Sequence, residues 1–127
     1  MAAAQNTTLE IANQLVALCR EGKNLQAIDS LYSSEVESIE ACATPGMDRV
    51  MSGLDAVRGK NQWWLNNHEV HGCEVAGPFP NQDRFTVIFN IDVTPKQTGQ
   101  RMRMQEVGLY TVKDGKITKE EFFYSMG

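Results

Sequence analysis

The chain has 127 residues, enough for one domain around one core, and its 42% hydrophobic and 22% charged content is ordinary for a globular protein. A net charge of −4, with no basic run or stripe, argues against a nucleic-acid partner. No apolar stretch approaches the ~20 residues that a membrane helix needs, so no membrane partner is expected. Residues Met1 to Asn6 lack a basic segment followed by an apolar one, so no secretory signal is expected and the chain is read as cytoplasmic. Cys19, Cys42 and Cys73 are odd in number, widely spaced and form no CxxC pair. They are expected to be buried free thiols in a reducing compartment, neither disulfides nor zinc ligands.

No repeat or linker divides residues 1–127, which read as a single domain. From Thr7 to Glu21, Ile11, Leu15 and Leu18 recur on one stripe, with Ala12, Val16 and Cys19 beside it, which predicts a helix. Thr7 or Thr8 can cap it, Glu10 lies in the first turn, and Gly22 is a natural stop. A shorter helix is expected over Leu25 to Tyr32, followed by a strand through Val36 to Ala41. Thr44 to Asp48 reads as a loop by its proline and glycine. A third helix is expected from about Gly53 to Asn67, with Leu54, Val57, Asn61, Trp64, Leu65 and His68 inward. Lys60 on that helix reads first as a solvated residue, with approach to a ligand as the lesser alternative.

Two long strands follow, one from near Val70 to Gly77-Pro78 and one from Arg84 to Val93. In the second, Phe85, Val87, Phe89, Ile91 and Val93 alternate with Arg84, Thr86, Asn90 and Asp92. The last hairpin has the strongest local signal: Asp114-Gly115 between β-rich runs marks a two-residue turn. With Lys113 opposite Lys116, regular pairing puts Val112 opposite Ile117 and Glu106 opposite Phe123. One face then carries Met104, Glu106, Tyr110, Val112, Ile117 and Phe123, and the other Val107, Leu109, Phe122 and Tyr124. A bulge would swap these faces locally. With both faces apolar, helices can cover one and a second copy of the chain would cover the other, so a homodimer is expected.

Glu106 is the residue that points to chemistry. Met102, Met104, Gly108, Tyr110 and Val112 share its row, and a carboxylate in such surroundings costs free energy unless it is paired or protonated. Chains accept that cost mainly where the acid has a task, although a row that meets solvent or a partner subunit would also explain it.

Three helices before long antiparallel strands, with Gly53-Leu54-Asp55-Ala56-Val57 opening the third helix and Asp114-Gly115-Lys116-Ile117 in the last hairpin, resemble the nuclear-transport-factor-2-like superfamily. The chain is most similar to its SnoaL-like branch, which includes polyketide cyclases and relatives of ketosteroid isomerase. The resemblance covers nearly the whole chain. It implies an α+β fold of the cystatin-like type, a cone in which three N-terminal helices pack on a curved, mainly antiparallel sheet, often dimeric. It implies isomerase, cyclase or dehydratase chemistry on a small apolar molecule, or a binding or assembly module without chemistry. Counting the ketosteroid isomerase interval from Leu31-Tyr32 places Glu40 at the position of the general base, and Glu106 is the nearest match to the second acid. The oxyanion tyrosine falls on Leu15, which cannot donate a hydrogen bond. Tyr110 is the replacement donor if it faces the cavity.

The resulting site set is Glu40 and Glu106 as acid–base groups, with Trp64, Tyr110, His71, Met104 and Phe123 as ligand-binding residues. Glu40 shares a strand face with Val36 and Ser38; as a base it would need apolar surroundings, and otherwise it is an exposed strand acid. Trp64 suits the core as well as a cavity wall. His68 and His71 are spaced HxxH, but no third ligand is evident, so no metal is expected. No phosphate loop, dinucleotide fingerprint or Ser-His-Asp arrangement is present, and no cofactor is expected.

Overall fold

The structure is a computed structural model, and it describes residues 7–44 and 46–125. Helix α1 (Thr8–Arg20) starts as a capping box: the Thr7 hydroxyl accepts from the Glu10 amide at 3.1 Å, and the Glu10 carboxylate accepts from the Thr7 amide at 2.9 Å. Its stripe of Ile11, Ala12, Leu15, Val16 and Cys19 is buried. Helix α2 (Asn24–Leu31) buries Ala27, Ile28 and Leu31. It ends one residue earlier than expected, because Tyr32 already has extended backbone and begins β1 (Tyr32–Ile39).

A short strand not anticipated from the sequence, β2 (Val50–Ser52), pairs antiparallel with β1. Helix α3 (Leu54–Asn67) buries Val57 and leaves Leu65 and Trp63 exposed, so its inward stripe is narrower than expected. The strands β3 (His68–Asn81), β4 (Arg84–Pro95), β5 (Met102–Lys113) and β6 (Lys116–Phe123) form antiparallel neighbours in turn. Both long middle strands run further than their sequence bounds, β3 from His68 to Asn81 and β4 on to Pro95. The sheet order is β2-β1-β6-β5-β4-β3, and only β1 and β6 are parallel. The three helices pack on one face of this sheet, which is the mainly antiparallel α+β arrangement expected.

The turn at Asp114-Gly115 has the two positive φ angles of a type I′ hairpin, 54° and 76°. Beyond it the regular register fails. Val112 opposes Ile117, but Thr111 opposes Lys119, so Thr118 is the extra residue of a bulge. Every later residue of β6 changes face. Glu120 stands opposite Tyr110 and Phe122 opposite Gly108, while Phe123 stands opposite Val107 and not opposite Glu106. The inner face therefore carries Glu120 and Phe122, and the convex face carries Glu121 and Phe123.

The core is formed by α1, α2, Val57 of α3, Val75 of β3 and the inner rows of β1, β4, β5 and β6. Phe85, Val87, Phe89 and Val93 alternate inward along β4 as expected. Of the cysteines only Cys19 is buried; Cys42 is half-buried and Cys73 exposed, contrary to the expectation of three buried thiols. All three are free. No described helix is long and apolar enough to cross a membrane.

Candidate functional site

The inner face of β1 presents Tyr32, Val36 and Ser38 in succession, with Glu40 just beyond the strand end. The pairing of Ser38 with Glu120 on parallel β6 brings the first polar groups together. Both are buried, at 0% and 4% exposure, in a region otherwise filled by apolar side chains. The Ser38 hydroxyl donates to Glu120 Oε2 at 2.6 Å, and the Tyr32 hydroxyl donates to Glu120 Oε1. Both carboxylate oxygens are thus satisfied, as a buried acid requires. Burial nevertheless pushes the Glu120 carboxyl up, opposed by the Lys60 charge and by the two hydroxyl donors.

Lys60 reaches inward from α3. Its ammonium donates to Ser38 Oγ and, at 2.6 Å, to Glu40 Oε2, while lying 5.4 Å from the centre of the Phe122 ring. The Tyr124 hydroxyl donates to Glu40 Oε1 at 2.9 Å. A continuous network therefore runs from Tyr32 through Glu120, Ser38, Lys60 and Glu40 to Tyr124.

Glu106 faces the same side. It stands directly opposite Phe89, whose side chain is buried in the core, and directly opposed residues share a face. Burial is the main reason that its carboxyl is pushed up to about 7; the charges of Glu40 and Glu120 push further, and Lys60 pulls back. A carboxyl in this range exchanges a proton readily at neutral pH. Among the acids near Lys60, Glu40 has both oxygens engaged in hydrogen bonds and Glu120 is enclosed by hydroxyls.

Tyr110 is buried on the same row, stacked on Phe85 with ring centres 4.9 Å apart. Its ring folds back over Gly108: a Cβ there would come within 2.8 Å of Tyr110 Cε1 and 3.0 Å of its hydroxyl oxygen. The glycine between Glu106 and Tyr110 thus lets the phenol lie across the row, toward Glu106. Leu15 is buried core.

The remaining sequence-derived residues spread outward. Met104 is half-buried on the inner row opposite Ile91. Trp64 is half-buried and stacks on His68 at 4.3 Å. His71 is the extra residue of a bulge between Val70 and Gly72, exposed and 2.7 Å from the Thr94 hydroxyl on the convex side. Phe123 is 49% exposed on the convex face because of the β6 bulge. An open cleft of about 230 Å³ adjoins the network at the ends of β1 and β6, lined by Glu40, Arg49, Phe122, Phe123 and Tyr124 among others. Among the described residues no group of three or more His, Cys, Asp or Glu could hold a metal ion.

Sequence reasoning missed Glu120 and Tyr32, and it gave the inward reach of Lys60 only as the lesser alternative. Lys119-Glu120-Glu121 reads as a solvated run, and only the bulge turns its middle member inward. The available signal was Ser38, which shares a strand face with Glu40 and asks for polar partners.

A family model for the SnoaL-like domain matches residues 6–124. The chain belongs to the SnoaL-like family. A Mesorhizobium loti protein of known crystal structure, provisionally named a SnoaL-like polyketide cyclase and also a carbohydrate phosphatase, is 48% identical; the match covers 94% of this chain and 100% of that one, with a TM-score of 0.89. TerC, crystallised with polyporic acid, shares the fold at 19% identity and a TM-score of 0.72, over 93% of this chain and 91% of its own. So does a Catenulispora acidiphila protein with a ketosteroid isomerase-like fold in complex with trimethylamine, at 19% identity and a TM-score of 0.72, over 94% and 88%. No protein of curated function matches the chain. The SnoaL-like domain here has the cystatin-like α+β fold.

Proposed function

We propose that this SnoaL-like domain binds a small, uncharged, largely apolar molecule against Glu106 and moves a proton on it, in an isomerisation, cyclisation or dehydration. The observation that carries this reading is Glu106 itself, an inward carboxyl with a pKa of about 7 beside an ammonium already committed to a second acid. Glu106 takes the proton from a carbon next to a carbonyl and returns it elsewhere. Tyr110 serves as the hydroxyl donor that Leu15 cannot be. Glu40, held by Lys60 and Tyr124, sets the charge around the bound molecule. A ligand carrying its own carboxylate would meet the acids Glu40 and Glu106, which favours an uncharged one. Small-molecule complexes of distant members of the fold support a binding role.

The test uses a panel of small cyclic enones in heavy water, followed by NMR for exchange of the hydrogens next to the carbonyl. Wild-type protein should accelerate exchange, and Glu106→Gln should lose about 100-fold or more of that rate, the usual worth of a general base. Exchange unaffected by Glu106→Gln would refute the catalytic reading.

A second reading, an assembly module without chemistry, draws on the convex face, where Ile88, Val107 and Phe123 stand in register and Phe123 is 49% exposed. We propose that this face joins two copies in a homodimer. That arrangement is compatible with either role of the inner face.

A further inference from the structure

Ser38 connects Lys60, which the proton-transfer reading uses, to Glu120, which that reading does not require. Its oxygen accepts from the Lys60 ammonium and its hydrogen goes to Glu120 Oε2. A hydroxyl has one hydrogen to give. With an ammonium on its lone pair, that hydrogen is committed to the carboxylate, so the chain from Lys60 to Glu120 has a fixed direction. Tyr32 occupies the other Glu120 oxygen and does not touch Lys60 in this network. Burying a carboxylate this fully is less favourable than burying an apolar side chain of the same volume, so the arrangement asks for a purpose beyond packing.

We propose that Glu120, acting through Ser38, is a positioning residue that fixes the Lys60 ammonium against Glu40 and so sets the charge that Glu106 and a bound molecule experience. The inference rests on Glu106 being the proton-exchanging group. The charged and titratable groups around this set are Glu40 and Lys60, with Tyr124 bonded to Glu40 and Cys42 beside Tyr124, Tyr32, Tyr110 and Cys19 near Glu120, and Cys73 near Glu106.

The experiment needs no substrate. In the whole labelled protein, the Glu106 carboxyl carbon is titrated and the Lys60 Nζ signal is followed in Glu120→Gln, Ser38→Ala, Ser38→Thr and Tyr32→Phe. Ser38→Ala, which changes no charge, should move the Glu106 midpoint upward from about 7, because the Lys60 ammonium that holds it down is no longer fixed, and Glu120→Gln should disturb the Lys60 signal. Ser38→Ala should broaden or abolish the Lys60 signal, Ser38→Thr should restore it, and Tyr32→Phe should leave it unchanged. If Glu120→Gln fails to fold, the Ser38 pair decides. A Lys60 signal indifferent to Ser38→Ala, or disturbed equally by Tyr32→Phe, would reduce Glu120 to a core residue. That outcome would leave enone exchange by Glu106 untouched, and a failed exchange assay would leave these signals unchanged, so the two readings fail separately.

Discussion

Glu40 and Lys60 pair at 2.6 Å with side chains only 24% and 11% exposed, so neither charge is fully hydrated by solvent. Removing one partner leaves the other desolvated and uncompensated. Lys60→Met keeps most of the side-chain volume and should destabilise the protein by about 1–3 kcal/mol, the range for stranding a partly buried polar group. It should also move the Glu106 pKa upward, since Lys60 is the group that holds it down. Urea unfolding of both proteins at neutral pH measures the first effect. An unchanged midpoint would mean that solvent screens the pair.

The fit of Tyr110 over Gly108 gives a second prediction. Gly108→Ala places a methyl 2.8 Å from the Tyr110 ring, which must leave its stack on Phe85. Overpacking of this kind costs about 1–3 kcal/mol. In a double-mutant cycle with Tyr110→Leu, much of that cost should vanish, because the residue that clashes is gone. Additive effects would show that the strain lies in the backbone.

The convex face gives a third. If two copies meet there, Phe123→Asp should convert a dimer to a folded monomer, because Phe123 is exposed within one chain and its loss opens no core cavity. Sedimentation at micromolar concentration reads the mass. Wild-type protein sedimenting as a monomer would sink the dimer, and a dimeric Phe123→Asp would place the interface elsewhere.

Most of the fold was legible in the sequence because its signals are local. The α1 stripe from Ile11 to Cys19, the alternation from Phe85 to Val93 and the Asp114-Gly115 turn each declare themselves within a dozen residues. The site was only half legible, because its geometry depends on non-local register. Glu106 and Tyr110 precede the β6 bulge, and they stand on the inner row where alternation put them. Glu120, Phe122 and Phe123 follow it, and a single extra residue at Thr118 inverted all three. The short strand β2 carries too few residues for a pattern. The inward reach of Lys60 stayed the lesser alternative because a long flexible side chain at the edge of a helical stripe reads as solvated until a buried acid is placed opposite it.

Glu106 makes one contribution to the pH dependence of stability, and Glu120, also pushed up by burial, acts in the same direction. The folded pKa of Glu106, about 7, exceeds the ordinary 4.5, so the unfolded chain gives up this proton first. The stabilisation from the protonated form is whole below pH 4.5 and is lost as pH rises through about 7. The full difference is worth about 3 kcal/mol. Glu106→Gln removes the ionisation and keeps the shape. It should reduce the slope of the stability curve across that window and raise stability near pH 8 by about 1–3 kcal/mol, read by urea unfolding at several pH values. A curve that keeps its slope would assign the dependence to another group.

The proposed proton transfer depends on the Glu106 carboxyl, whose titration can be observed directly. The Glu106 carboxyl carbon, followed by NMR across pH 3 to 9 in the ligand-free protein and assigned by its loss in Glu106→Gln, should titrate with a midpoint of about 7. A midpoint at the ordinary glutamate value of about 4.5 would mean that Glu106 is solvated and permanently charged at neutral pH, which contradicts its role as the proton-exchanging group.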